Sequence, residues 1–398
     1  MSAFKDTDVV FVGAARTPIG RFLGSLSSLT PAELGTIAAT EAIKRAQVNA
    51  KDIDHSVFGH IITTGPADAY LARHIALNSG LPDSSAAFNV NRLCGSSVQA
   101  IISATQLLQL GDSQMVLAGG AESMSQGAYV LPRVREGLRM GHSQVTDMTL
   151  GILSDPFDSG HMGITAENIA EKYQLTRQQI DEVALSSQQR AARAQEQGYW
   201  QTQIVPVEVN QGRKTISLTQ DEHVRGDTTL ESLASLKPAF KKDGIVTPGN
   251  ASGLNDAAAA VVMTTAANAT TNQLPVLGRV VSYAFSGVDP KLMGLGPIPA
   301  VKTALAKAKL SIADLDVIES NEAFAAQALA VAQELGLPLD KTNPNGGAIA
   351  HGHPVGATGA ILTVKTLYEL ERTQGRYGLI TMCIGGGQGI ALIVERAQ

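Results

Sequence analysis

The chain carries a degenerate internal repeat, and this restricts its fold more than any other feature. Pro31 to Val48 reads as a helix with Leu34, Ile37, Ala38, Ala42 and Ala46 on one face, although Glu41 falls within that face. It leads through Asp52-Ile53-Asp54 into the strand-like Ser56-Val57-Phe58-Gly59. Pro299 to Leu310 is again helical, with Val301, Ala304, Leu305 and Ala308, and leads through Asp314-Leu315-Asp316 into Val317-Ile318-Glu319. The offset between Asp52 and Asp314 is 262 residues.

A second pair of segments follows in the same order. Phe88 to Asn91 runs into Cys94, a helical stretch to Leu110, and a strand, Met115 to Ala118, that ends in Gly119-Gly120. Asn343 to Gly347 runs into His353, a helical stretch from Gly359 to Leu370, and a strand, Leu379 to Met382, before Cys383 and Gly385-Gly386. Any α/β protein alternates helices and strands. The shared order and the matching glycines favour one plan used twice. The strands Val9 to Val12, Met115 to Ala118, Ala258 to Met263 and Leu379 to Met382 are short and apolar, as strands buried on both faces are. The expectation is a layered α/β fold with helices on both sides of the sheet in each half.

Residues 121–250 differ from both halves. They hold much of the charge, including Arg133, Arg135, Arg139, Arg213, Arg225 and Lys241. Thr165 to Tyr173 and Thr176 to Gln197 read as helices, each with a threonine available as N-cap. This region is expected to be an insertion covering a site built by the two halves. The division is then residues 1–120 with 251–275, the insertion 121–250, and residues 276–398.

Composition excludes several classes. A net charge of −5 lacks the basic face of a nucleic-acid binder. No apolar run is long enough to span a bilayer, so no membrane role is expected. The N-terminus shows no signal-peptide pattern and the C-terminus no peroxisomal or lipidation signal. Two cysteines are too few for a disulfide scaffold, although one disulfide between them is formally allowed. A cytoplasmic location with two free thiols is the expectation.

Both cysteines lie beside glycine, which lets backbone N–H groups and a substrate come close. Cys94 precedes a helical run, where the local potential lowers a thiol pKa from about 8.5 to roughly 3.5–7.5. That is a nucleophile's position; a buried cysteine at a helix start is the competing reading. Cys383 ends an apolar strand before Gly385-Gly386-Gly387, whose N–H groups could face a developing oxyanion. A phosphate-binding loop would need a following Lys-Ser/Thr, which is missing. His351 and His353 sit in one glycine-rich loop. A base beside the thiols is favoured over zinc, which lacks a nearby third ligand, so no metal is expected. Asn321 could hold a water or donate to an oxyanion, or cap the helix that follows.

Together these residues resemble the thiolase family along essentially the whole chain. The motifs are Asn91-Arg92-Leu93-Cys94-Gly95-Ser96, Gly119-Gly120-Ala121-Glu122-Ser123-Met124, His161-Met162-Gly163, Gly249 to Asp256, Asn321-Glu322-Ala323-Phe324, Gly352-His353-Pro354-Val355-Gly356 and Cys383-Ile384-Gly385-Gly386-Gly387. The resemblance implies two βαβαβαββ halves in a five-layered α/β/α/β/α arrangement, with a loop domain inserted in the first half. It implies that two acetyl-CoA give acetoacetyl-CoA and CoA, or in reverse that CoA thiolyses a 3-ketoacyl-CoA. Cys94 resembles the acylated nucleophile, His353 its activator, and Cys383 the acid/base at the α-carbon. Asn321 resembles the holder of a water in the first oxyanion hole, with His353. The N–H groups of Cys94 and Gly385 would form the second.

Leu153, His161, Met162, Arg225, Ser232, Leu236, Ala239, Phe240, Ser252 and Leu254 match coenzyme A contacts, and Met293 and Phe324 match the acyl pocket. Coenzyme A would be substrate and product, with no tightly bound cofactor. A homotetramer is implied, with part of 121–145 at a contact. His351 departs from the family, where that position is commonly apolar. Two other readings are a decarboxylating ketoacyl-synthase-like enzyme, which would generally lack the second cysteine, and an inactive thiolase-like binding protein.

Overall fold

The computed structural model describes residues 4–397 apart from Arg139 and Arg213, so those two charged positions and Met1–Ala3 lie outside the described residues. The first half runs β1 (Val9–Arg16), α1 (Pro31–Ala46), β2 (His55–Gly59), α2 (Leu71–Asn78), β3 (Ala86–Val90), α3 (Ser96–Leu110) and β4 (Met115–Ser123). The chain then makes a long excursion that includes α4 (Met162–Lys172) and α5 (Arg177–Glu196), and returns as β5 (Asn255–Thr265). The second half runs β6 (Gly278–Gly287), α6 (Pro297–Ala308), β7 (Val317–Ser320), α7 (Ala325–Leu335), α8 (Thr358–Thr373), β8 (Tyr377–Ile384) and β9 (Gln388–Arg396). Asp52 and Asp314 both end a short 3-10 turn just before the repeated strand, as the offset in sequence predicts.

Local chemistry sets these elements. Thr30 and Glu33 form a capping box at the start of α1, which satisfies N–H groups that a helix end leaves free. Leu34, Ala38, Ala42 and Ala46 are buried on its inner face. Burial of a side chain such as Leu34 stabilises the fold by about 1.5–3 kcal/mol. Glu41 sits at the edge of that face and pairs with Lys44 and Arg45. Thr176 caps α5 as its position predicts. Thr165 does not cap α4: the helix starts at Met162, its cap is His161, whose Nδ1 accepts from Gly163 N–H, and the Thr165 hydroxyl donates back to the Met162 carbonyl.

Five layers result. The outer helices α1 and α2 pack Leu34, Ala38, Ala42 and Ile75 on Val10, Val12, Phe58 and Val262. Helices α3 and α8 form the middle layer, with Val98, Ile101, Ile361 and Val364 between the strands of both halves. On the far side α6 and α7 set Val301, Ala304 and Val331 against Ile318, Leu379 and Ile393. The strand order is β3-β2-β4-β5-β1-β6-β9-β8-β7, mirrored about the β1–β6 contact. Val10 pairs with Arg279 and Phe11 with Gly278 there, so the two sheets are hydrogen-bonded into one. Pairing the edge strand of each half removes two open edges.

The second half departs from the expected βαβαβαββ order at one point. The strand matching β3 is reduced to a single bridge between Ile318 and Thr342. Asn343 ends the pairing: its backbone turns into the left-handed region at φ 45°, and its side-chain amide takes the Ser320 N–H and carbonyl that the ladder would have used. Among the described residues no helix is long and apolar enough to cross a membrane.

Candidate active site

Four chain segments meet at the carboxyl ends of the strands, where open α/β sheets place their ligands. After β3 the chain turns sharply at Leu93, in the left-handed region at φ 47°, and presents Cys94 just before α3. In the second half the loop before α8 presents His353, Asn321 follows β7, and Cys383 lies near the end of β8. Close approach of the halves depends on small residues. A Cβ on Gly120 would collide with the Gly356 carbonyl and press on Ser97. Gly352 has φ 103°, and a side chain there would strike Asn255, whose Oδ1 accepts the His353 N–H at 3.0 Å.

Cys94, His353, Cys383 and Gly385 line one narrow cavity of about 60 Å³. Its walls are apolar and include Ile61, Leu93, Ile152 and Val355 besides the expected Leu153, Met162, Met293 and Phe324; Ser252 also lines it. Asn321 adjoins it through His353, with Nδ2 3.5 Å from His353 Nε2. Asn321 is not the cap of α7: Phe324 holds that position without a side-chain bond. Asn321 Oδ1 is buried with no hydrogen-bond partner among the described residues, which leaves an acceptor available beside the imidazole.

The histidine's tautomer follows from its neighbours. The Thr358 hydroxyl donates to the Pro354 carbonyl at 2.9 Å and so accepts from His353 Nδ1–H at 2.7 Å. That leaves Nε2 as the unprotonated nitrogen, approached by Asn321 Nδ2 at 3.5 Å. Burial lowers the His353 pKa to about 4, so the ring rests neutral near pH 7.

Cys94 differs from the sequence expectation. Burial pushes Cys94 up to about 11; N–H groups of Gly385 and of Cys94 itself offset this in part, and the Glu122 charge adds to it. A helix start alone predicts a depressed value, but burial outweighs it. Burial, followed by the charge of neighbouring Cys94, also raises Cys383 well above the ordinary range. At rest the site holds two thiols and a neutral imidazole. Both cysteines are free, not joined in a disulfide.

The other expected contacts are scattered. His161 stacks on Phe240 at 4.5 Å, and Phe240 meets Phe324 edge-on at 6.1 Å. Leu254 packs with Leu153 beside Cys94. Ala239 donates its N–H to the Val246 carbonyl. The Ser232 hydroxyl donates to the Thr229 carbonyl, and Leu236 is partly exposed just after that short helix. Arg225 lines a separate cleft with Arg21, His223 and Leu254. His351 does not face the cavity residues: it is buried against Trp200, with Nε2 2.9 Å from Lys365 Nζ, and burial followed by the Lys365 charge keeps it neutral.

Sequence reasoning assigned no role to several supporting residues. Thr358, five positions after His353, sets its tautomer. Glu122 accepts N–H bonds from Ile62 at 3.1 Å and Gly356 at 2.8 Å, fixing the wall and the histidine loop. His60 lies between Glu122, at 3.1 Å, and Asp68, at 3.4 Å. Burial opposes charge on His60, but the Glu122 charge and bonds to both carboxylates raise its pKa to about 10. A lone acidic residue ending an apolar strand was the available signal for Glu122.

The two halves open both their thiols and a neutral imidazole onto one apolar cavity, an arrangement suited to covalent transfer of an acyl group through a thiol. The family model described as "Thiolase, N-terminal domain" matches residues 9–267, and "Thiolase, C-terminal domain" matches 274–396. The chain belongs to the thiolase family. It is 56% identical to beta-ketothiolase BktB of Cupriavidus necator over 98% of this chain and 99% of that one. It is 47% identical to an acetyl-CoA acetyltransferase of Pseudomonas aeruginosa, again over 98% and 99%. The structure superposes on Bacillus anthracis acetyl-CoA acetyltransferase with TM-score 0.96 and 46% identity, covering 98% and 99% of the two chains. It superposes on human mitochondrial 3-ketoacyl-CoA thiolase in complex with CoA with TM-score 0.95 and 42% identity, covering all of both chains.

Proposed function

We propose that the protein catalyses the reversible condensation of two acetyl-CoA to acetoacetyl-CoA and CoA, and the thiolysis of 3-ketoacyl-CoA, through an acyl-Cys94 intermediate. One observation carries this reading: His353, held as the Nδ1–H tautomer by Thr358, keeps Nε2 free in the cavity that also holds Cys94 and Cys383. In the first half-reaction His353 takes the Cys94 proton. The thiolate attacks the thioester carbonyl, and CoA leaves with that proton as a free thiol. In the second, Cys383 gives its proton to His353 and removes a proton from the α-carbon of the next acetyl-CoA. The carbanion attacks the acyl-Cys94 carbonyl, and Cys94 departs and takes its proton back from the imidazolium.

The oxyanions have separate donors. Asn321 Nδ2 and protonated His353, with a water held by Asn321, would serve the thioester oxygen of the enolate. The N–H groups of Cys94 and Gly385 would serve the acyl oxygen, and both already offset part of the rise that burial causes in the Cys94 pKa. One such donor contributes about 3–4 kcal/mol in other enzymes.

Coenzyme A is the carrier in both directions. Leu153, Met162 and Ser252 on the cavity wall support a pantetheine path, and the stacked His161 and Phe240 extend it. Arg225, in the separate cleft that Leu254 also lines, would contact the nucleotide end, with Ser232, Leu236 and Ala239 further along. Met293 and Phe324 bound the acyl group. The division into residues 1–120 with 251–275, an inserted loop domain 121–250, and residues 276–398 goes with this reading. So does a cytoplasmic homotetramer: Tyr129, Val130, Val134, Leu138 and Val145 are exposed apolar side chains within or beside the proposed contact.

Labelled acetyl-CoA followed by peptide mass spectrometry tests the assignment. Label on Cys94 in the wild type and in Cys383→Ala, and none in Cys94→Ala, is expected. Label on Cys383 alone would overturn it. Thiolysis rates from short to long 3-ketoacyl-CoA would then define the acyl range.

A further inference from the structure

Away from the Cys94 cavity, three arginines share one cleft. Arg190 and Arg193 on α5 and Arg372 near the end of α8 line a space of about 510 Å³ with Tyr199, Asp340 and Asn345. No residue of this cleft lines the thiol cavity or the Arg225 cleft.

The three guanidiniums are only partly used. Arg190 donates from Nη1 to the carbonyls of Leu339 at 2.9 Å, Thr342 at 2.7 Å and, more weakly, Asn343 at 3.4 Å. Arg193 donates from Nη2 to the Pro344 carbonyl at 3.2 Å. Arg372 donates from Nε and Nη2 to Glu369 at 2.8 and 2.6 Å, and its plane lies 4.0 Å from the Tyr199 ring centre. A guanidinium carries five N–H donors. Among the described residues, Nε and Nη2 of Arg190, Nε and Nη1 of Arg193 and Nη1 of Arg372 have no partner. Glu369 is already held by Arg372 and by Asn345 Nδ2 at 2.8 Å, and Asp340 makes no ion pair. Three cations thus face two carboxylates, one of them engaged. Arg190 keeps its whole Nε–Nη2 edge open, a planar fork that matches two oxygens of a phosphate group, and Arg193 and Arg372 add single donors and excess positive charge.

We propose that this cleft is a binding site for a small multivalent oxyanion of the phosphate type, separate from the coenzyme A site. Its occupancy bears on the active site through one segment. Arg190 and Arg193 grip the carbonyls of residues 339–344, and on that segment Asn343 donates to Glu322 at 2.8 Å, beside Asn321. The same segment leads into the glycine-rich loop that ends at His353. An anion that takes the spare donors fixes the arginines, and with them this segment, so binding raises thermal stability.

The test uses the full chain with saturating CoA present, and inorganic pyrophosphate as ligand. Isothermal titration is expected to show one site per chain, with a saturable rise in Tm that sodium chloride of equal ionic strength does not reproduce. Arg193→Gln and, independently, Arg372→Gln weaken binding by about tenfold, whereas Arg193→Lys, which keeps the charge, stays within about threefold. Arg225→Gln leaves the affinity unchanged. Displacement by CoA, loss in Arg225→Gln, or indifference to Arg193→Gln and Arg372→Gln overturns the site. A response equal to that of chloride also overturns it. Citrate binding as tightly as pyrophosphate overturns the phosphate-type assignment.

Discussion

The two halves share a plan but close their last hairpin differently. In the second half β8 and β9 are joined only by Gly385, Gly386 and Gly387, and the last two have φ near 80°. In the first half the matching strands β4 and β5 are joined by residues 124–254. The tight hairpin sets Gly385 on the wall of the cavity that Cys94 lines. The long excursion brings apolar cover, through Ile152, Leu153 and Met162. Matching positions also carry different groups. The loop before the middle-layer helix presents a thiol in the first half and an imidazole in the second. The end of the matching strand presents Glu122 in the first half and Cys383 in the second. The two halves share a layout and carry different side chains at matching points.

The largest test of this division separates the two cysteines. Cys383→Ala should lose condensation by about 10³–10⁴-fold while Cys94 is still acetylated, as removal of a proton-transfer group predicts. Equal loss of both half-reactions would break the contrast. Thr358→Val removes the acceptor that sets the His353 tautomer. It should lower kcat by roughly 10–100-fold with a smaller change in KM.

The pH dependence of the resting thiol gives a graded test. With Cys94 at about 11, the thiolate fraction, and so the rate of alkylation by iodoacetamide, should climb about tenfold per pH unit from 7 to 10. A plateau at neutral pH would mean a resting thiolate–imidazolium pair.

The smallest expected effect concerns the first half's charged support. His60 has a raised pKa, so its stabilisation is complete below the unfolded value of about 6.5 and fades as pH rises through about 10. His60→Gln should flatten the fall of Tm across that window, with little change below it in the slope against pH. An unchanged wild-type profile would show that the ring is neutral between its two carboxylates.

Much of this was legible in the sequence. Glycines around Cys94, His353 and Cys383 marked places where backbone and ligand come close, and the repeat explained how two thiols 289 residues apart meet. What was not legible depends on partners distant in sequence. The Cys94 pKa is set by burial, with contributions from Gly385 and Glu122, so local position misled. Thr165 lost its capping role because His161, one residue before α4, supplies a ring nitrogen. The βαβαβαββ plan of the second half lost one strand because Asn343 turns out of the ladder and its side chain takes the Ser320 backbone groups. Glu122 gave little sign of its partners, since Ile62, Gly356 and His60 reach it only in the folded chain.

The strand order has a consequence for how the chain is made. Strand β5 lies between β1 and β4 yet is synthesised more than a hundred residues after either. Until residue 265 leaves the ribosome, the first sheet lacks a central member, and β1 and β4 each present an unpaired, apolar edge. Non-local pairing of this kind folds slowly and exposes sticky intermediates. Nascent chains truncated before Asn255 should therefore engage chaperones strongly, and release should follow the arrival of β5.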